Sequence, residues 1–219
     1  MSDDNGVIAV LENWEFVKCL PAKIKGFELV VAVKRVKDEI DIFSYECREK
    51  RRTVRCYYNC ATKDYMLKRI FGFNDCCEME FITPSLEEFE KLLAAGLERF
   101  VSMLAEFKRE CVSCILLDKG LLEWEYGKGL APQVLDFELY VKPFEPMSLI
   151  NGSVVVIDYS DFSCGKQFVV YYNMLRDEFY AEKKVNGVVY TVAGFEAKDL
   201  KGLEAVLEER LAGCLGELV

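Results

Sequence analysis

Histidine is absent from all 219 residues. That absence excludes histidine-based catalytic triads, histidine metal ligands and imidazole proton shuttles. Proline is scarce, at 5, and glycine stands at 14, so collagen-like and linker-dominated chains are excluded. No apolar run approaches the roughly 18 residues that a membrane helix needs, and no membrane contact is expected. The opening Met1-Ser2-Asp3-Asp4-Asn5 lacks the basic segment of a signal peptide, so the expected compartment is the cytoplasm. Basic residues are outnumbered, 28 against 37, for a formal net charge of −9. A nucleic-acid binder needs a net basic face, so no nucleic-acid partner is expected. Gly127-Lys128-Gly129 lacks the third glycine and preceding strand of a dinucleotide site. No P-loop and no G-x-S-x-G elbow occurs. No catalytic residue, metal ligand or cofactor is assigned.

What remains is substantial. Hydrophobic residues make up 52% of the chain and aromatics 13%. A core at this length buries roughly 70% of the unfolded surface.

An internal repeat organises the chain. Shifted by 110 positions, Leu11–Val31 falls on Leu121–Val141. Leu11/Leu121, Trp14/Trp124, Glu15/Glu125, Lys18/Lys128, Leu20/Leu130, Phe27/Phe137, Glu28/Glu138, Leu29/Leu139 and Val31/Val141 are then identical. Tyr57-Tyr58-Asn59 meets Tyr171-Tyr172-Asn173 at an offset of 114, and the last helices align at about 111. Loop insertions and deletions account for such drift.

Each half reads as helix, strand meander, helix. Val7, Val10, Leu11, Trp14 and Val17 have helical spacing, with Asp3 or Asp4 as cap and Pro21 as stop. The patterning then predicts strands over Phe27–Val36, Ile40–Cys47, Thr53–Cys60, Asp64–Phe71 and Cys77–Ile82. Thr83-Pro84 is expected to open a long helix with the stripe Phe89, Leu92, Leu93, Gly96, Phe100, Met103, Leu104 and Phe107. The second half predicts strands over Phe137–Lys142, Ser153–Tyr159, Gln167–Met174, Glu178–Val185 and Val188–Ala193. Asn186-Gly187 is a type I′ hairpin signal, and a helix carrying Leu200, Leu203, Val206, Leu207 and Leu211 closes the half. Short links force antiparallel pairing. The expected fold is therefore α+β, a tandem duplication of a helix–five-stranded antiparallel meander–helix unit. Its long helices pack on the sheets, with repeats over 1–115 and 116–219.

Ten cysteines invite a metal or redox reading. Only Cys111 and Cys114 have C-x-x-C spacing, and no glycine or proline beside them makes a zinc knuckle. The repeat sets Cys56 against Val170, Cys60 against Met174, Cys77 against Val188 and Cys214 against Met103. Cys111 and Cys114 continue the stripe after Phe107. These six are expected in the core, as small hydrophobes. Cys19, Cys47, Cys76 and Cys164 have no such account. Cys164 sits in Ser163-Cys164-Gly165-Lys166, where the neighbouring cation can lower a thiol pKa.

Asp38, Glu39 and Asp41 share one turn, and Asp158 and Asp161 another, as solvated turn residues do. Glu15/Lys18 and Glu125/Lys128 have the i, i+3 spacing of helical ion pairs. Residues 1–110 carry 18 basic and 20 acidic side chains; residues 111–219 carry 10 and 17. Arg48, Lys50, Arg51, Arg52 and Arg55 cluster around one hairpin. They are the candidate partner-binding residues, for an acidic protein or a second copy of the chain. The alternative is a charged hairpin that resists aggregation.

The leading expectation is an intracellular non-catalytic binding or adaptor protein. One alternative is an enzyme or small-ligand protein with a pocket between helix and sheet, where Tyr58 and Tyr172 are the candidate ligand contacts. The other is a cysteine-based metal or redox protein.

Overall fold

A computed structural model describes residues 2–219, with side chains from Gly6 onward; the side chains of Asp3 and Asp4, the expected caps, lie outside those described. The chain is α+β, with two antiparallel sheets of six and seven strands. It divides into two compact units, ending at Phe107 and beginning at Lys108. Val112 and Leu116 pack in the second core, so this division falls before the 115/116 boundary expected from the sequence.

The first unit opens with α1 (Ser2–Glu12) and α2 (Glu15–Lys18). Helical spacing predicted one continuous helix here. Trp14 is instead extended, with φ −73° and ψ 106°, and its indole N–H donates to Glu90 Oε2 at 2.7 Å. The strands are β1 (Lys23–Ile24), β2 (Phe27–Val36), β3 (Glu39–Cys47), β4 (Arg52–Asn59), β5 (Asp64–Phe71) and β6 (Asn74–Cys77). They lie side by side in chain order.

The last strand differs from the one expected over Cys77–Ile82. Gly72, at φ 56°, turns the chain early, so that Asn74 pairs Phe71. Met79–Phe81 then form a 3-10 turn that buries Phe81. Helix α3 (Leu86–Ala105) is capped by Ser85, whose Oγ accepts from the Glu88 amide. Thr83 pairs with Tyr65 instead of opening the helix, so Pro84 is not its first residue. Phe89, Leu93, Leu97, Phe100, Val101 and Leu104 are buried, whereas Met103 and Phe107 are exposed. Gly96 is needed for close packing: a Cβ there meets the Phe81 ring at 2.9 Å.

The second unit has α4 (Cys114–Asp118), α5 (Glu125–Lys128), β7 (Gln133–Val134), β8 (Phe137–Val141), β9 (Met147–Ser148) and β10 (Ser153–Asp161). It continues with β11 (Lys166–Asn173), β12 (Glu178–Val185), β13 (Val188–Ala197) and α6 (Leu200–Gly216). The sheet order is β13-β12-β11-β10-β8-β7, with β9 also on β10. Asn186 and Gly187 both have positive φ, at 51° and 82°, as a type I′ turn requires. Phe137, Tyr159, Phe168, Tyr172, Phe179, Phe195 and the α6 residues Leu203, Leu207, Leu211 and Leu215 form the core.

Each unit contains the same kinds of internal bond. Trp124 Nε1 donates to Glu204, as Trp14 does to Glu90. Tyr45 donates to the Pro21 carbonyl and Tyr159 to the Ala131 carbonyl, both at 2.7 Å. Leu29 N–H reaches the Ala22 carbonyl and Leu139 N–H that of Pro132, both at 2.9 Å. Asn59 Oδ1 accepts from the Ala61 and Thr62 amides, and Asn173 Oδ1 from those of Leu175 and Arg176. Lys18 pairs Glu15 and Lys128 pairs Glu125, as the spacing predicted.

From Tyr45 and Tyr159 onward these corresponding bonds are spaced by 114. The same spacing persists into the long helices, where buried Phe89, Leu93, Leu97 and Phe100 match Leu203, Leu207, Leu211 and Cys214. At that spacing Cys214 falls on Phe100, whereas the 111 spacing read from the sequence sets it on Met103. Likewise Cys77 opposes Lys68 as Thr191 opposes Glu182, a register that sets Cys77 against Thr191, where the sequence spacing sets it against Val188.

Candidate functional site

Alternation along β4 sends Val54, Cys56 and Tyr58 toward α3 and sends Thr53, Arg55 and Tyr57 to the opposite face. Register places Asp41 across from Tyr57 and Ser44 across from Arg55 on that opposite face. Arg55 binds both neighbouring acids, with Nε to Asp41 and Nη1 to Glu39, each at 2.5 Å. Burial alone lowers the Arg55 pKa, but the bonds to Glu39 and Asp41 outweigh it and raise the value. The guanidinium lies 4.9 Å from the Tyr57 ring centre, and Lys68 Nζ lies 4.9 Å from it too. Tyr57 OH approaches Cys77 Sγ at 3.1 Å. Burial, and then the Cys77 contact, push the Tyr57 pKa up.

Beside this network a groove of about 260 Å³ runs along β2, lined by Val30, Ala32, Lys34, Asp41, Glu46 and Arg55 among others. A second concavity of about 180 Å³ continues it past Glu28 and Arg48. The first is smaller than the roughly 300 Å³ at which small-molecule pockets begin.

The groove is bounded by a free strand edge. β1 covers only Phe27 and Glu28, and the Ala22 carbonyl takes the Leu29 amide. Among the described residues, β3 is the only strand paired with β2 from Val30 to Val36, and α1 lies near β2. Val31 is 52% exposed, and Lys34 and Arg35 stand on the same stretch. In the second unit β8 stops at Val141, and the chain turns through Pro143 and Pro146. No sequence signal separated an edge strand from an interior one here, so β2 was missed as a candidate.

The candidate cations are placed apart. Lys50 Nζ donates to the Ala105 carbonyl and Arg52 Nη1 to that of Leu104, each at 2.8 Å. These two close the C-terminal turn of α3, where positive charge is favoured. Arg48 lies 3.8 Å from Glu46 with its side chain 89% exposed. Arg51 holds the hairpin turn at φ 48°. Arg55 lines the first groove and Arg48 the second.

The candidate tyrosines pack inside. The Tyr58 ring lies 5.0 Å from Tyr65, and the Tyr172 ring 5.0 Å from Phe179. Tyr172 OH donates to Asp177 Oδ1 at 2.5 Å, which also binds Lys119 at 2.8 Å. Burial, then the Asp177 bond, raise its pKa. Neither ring lines the groove.

The cysteines divide by depth. Cys56 and Cys214 are buried as expected, and burial pushes the Cys56 thiol well up. Cys60 and Cys77 are half-buried, and Cys76, which had no account, is buried. Cys111 and Cys114 are exposed. The α3 helix ends at Ala105, so the stripe they were expected to extend stops before them. Cys164 is exposed, and its Sγ bonds Asp161 Oδ2 at 2.6 Å. That bond raises the thiol pKa, overriding the lowering by Lys166 that the sequence suggested. Among the described residues no group of three or more His, Cys, Asp or Glu side chains is arranged to hold a metal, and no helix is long and apolar enough to cross a membrane.

Comparison with protein-family models, with curated proteins and with solved structures returns no match.

Proposed function

We propose that the chain is a non-catalytic binding protein made by tandem duplication of a helix–antiparallel sheet–helix unit. Its first unit takes an extended acidic segment of a protein partner along the free β2 edge. The matched bonds of Trp14 and Trp124, Tyr45 and Tyr159, and Asn59 and Asn173 support the duplication. Exposed free thiols at Cys19, Cys111, Cys114 and Cys164 suit a reducing compartment such as the cytoplasm.

The observation that carries the binding role is the one-sided pairing of β2 beside the groove. An edge strand offers unpaired N–H and C=O groups to an added strand, and flanking pockets supply side-chain selectivity. Lys34 and Arg35 set the preference for acidic partners and repel a second β2. The tied cations Lys50 and Arg52 support the hairpin, and Arg55 forms the groove floor.

Panning a displayed library of extended peptides tests this reading. Selected peptides should be apolar with acidic flanks, and their amide shift footprint should cover Val30–Val36. The Leu29 N–H points to Ala22, so the Val31 N–H points outward too. Val31→Pro therefore removes no ladder bond and should abolish binding. Peptides that bind elsewhere and tolerate Val31→Pro refute the β2 site.

A further inference from the structure

A second free edge differs from β2 in chemistry. β13 is the terminal strand of the seven-stranded sheet and pairs only with β12. Val188, Val189 and Tyr190 are consecutive and 52%, 49% and 55% exposed. Consecutive residues point to opposite faces, so over Val188–Tyr190 both faces of the strand are apolar and exposed, up to Val192, which is buried in the core. Natural edges are blunted by charge, proline or short length. Val188–Ala193 holds no charged residue and no proline. The other edges differ: β6 has four residues including Asp75, β2 carries Lys34 and Arg35, and β7 has two residues.

The backbone of β13 is poised for one more strand. The Asn186 amide donates to Gly165 on the β11 side. The Val185 amide therefore points the other way, into its pair with Val188. Alternation then turns the N–H and C=O of Val189 and Thr191 toward the open edge. Beyond them the edge is closed, because Arg210 Nη1 donates to the Ala193 carbonyl at 2.8 Å and Gly194 bulges at φ 73°. The free edge is thus short and defined, from Val188 to Val192.

We infer that β13 pairs antiparallel with β13 of a second copy of this chain, about a two-fold axis at Tyr190. In that register Val189 opposes Thr191 of the second copy and Thr191 opposes its Val189. Each pair exchanges two backbone hydrogen bonds. Val188 opposes Val192, and the two Tyr190 rings meet at a non-hydrogen-bonded site, where side chains come closest. Val188–Val192 is self-complementary: the segment carries no charge to bury, Val188 meets Val192, and the exposed Tyr190 meets its own copy. Val188–Val192 itself offers no charged side chain to pair with a charged foreign segment, and its own copy brings none, which favours the chain's own copy. The same side chains face both ways, so the contact is isologous and closes at two copies. A five-residue strand pair buries less than a standard interface, so the dimer is weak and concentration-dependent. It involves no residue of the β2 groove.

Sedimentation velocity of the full chain in reducing buffer, over about a hundredfold range of concentration, reads the pairing. The weight-average mass should rise and level at twice the monomer. Val189→Pro and Thr191→Pro each remove an outward N–H and no β12 bond, so both should keep the wild-type circular dichroism and stay monomeric. Amide exchange gives a reading without variants. The Val189 and Thr191 amides of the wild type should exchange more slowly as concentration rises, and those of Val31 and Val33 should not. A wild type that stays monomeric throughout overturns the pairing, whatever else binds β13. A mass climbing past twice the monomer, or proline variants that still associate, overturns it equally.

Discussion

Arg52 donates to the main-chain carbonyl of Leu104 at 2.8 Å, joining the start of β4 to the last turn of α3. Lys50 does the same for Ala105, and in the second unit Lys166 reaches the Val219 carbonyl at 3.0 Å. Lys50 and Arg52 satisfy carbonyls that the end of α3 leaves open, and they sit where the helix dipole is negative.

Arg52→Ala and Lys50→Ala should each cost about 1 kcal/mol, as charged helix-end contacts do. Arg48→Ala should cost less than about 0.5 kcal/mol, because an exposed ion pair contributes little. Urea unfolding followed by Trp14 fluorescence, in a Trp124→Phe background, isolates the first unit. A cost for Arg48→Ala equal to that of Arg52→Ala contradicts the assignment.

The two tryptophans predict a matched pair of effects. Trp14→Phe keeps most of the ring, removes the indole N–H and leaves Glu90 without that donor. The loss should be about 1.5 to 3 kcal/mol, since the bond joins a carboxylate. Trp124→Phe should cost less, because its bond to Glu204 is longer, 3.2 Å against 2.7 Å. Glu90→Gln should cost less than Trp14→Phe, because the amide oxygen still accepts. Denaturant midpoints of the three variants decide the order.

Strands bounded by turn chemistry were legible in the sequence: β2, β5 and β12 fall where alternation predicted them. The break at Trp14 was not, because its spacing fits a helix and its extended backbone accompanies a bond to Glu90, 76 positions away. Cys111 and Cys114 continue the α3 period numerically, but Lys50 and Arg52 hold the helix end at Leu104 and Ala105 from a hairpin more than 50 positions earlier. The apolar run of β2 was readable. Its place at an edge was not, because that depends on β1 being only two residues long. The basic cluster was visible as charge, whereas its division between helix end and groove is a property of the tertiary structure.

Thiol chemistry separates the cysteines. Cys19, Cys111, Cys114 and Cys164 should react with a disulfide reagent in the native state, and Cys56, Cys76 and Cys214 only after denaturation. Cys164 should be the slowest of the exposed four, because the Asp161 carboxylate holds its proton. Asp161→Asn removes that charge, lowers the Cys164 pKa and should raise its rate near pH 8. Peptide mapping of labelled protein measures both. Cys56→Val should cost less than about 1.5 kcal/mol, as a nearly volume-conserving swap does. Cys56→Ser should cost more, by burying a hydroxyl.

The Tyr45 and Tyr159 hydroxyls give an alkaline signature. Each donates to a main-chain carbonyl at 2.7 Å and is buried. Burial pushes each pKa up to about 12, above the ordinary value of 10.0. The neutral form is the one the fold retains, so its contribution to stability is complete below the unfolded pKa near 10 and is lost as pH rises through about 12. Absorbance near 295 nm during an alkaline titration should therefore show these two tyrosines ionising above the ordinary tyrosine value, together with loss of native structure. Tyr45→Phe and Tyr159→Phe should each lower stability at pH 7 by about 1 kcal/mol, the worth of one hydrogen bond with the ring retained. Both variants should flatten the decline in stability between pH 10 and 12. An unchanged decline in the double variant would show that other groups set the alkaline limit.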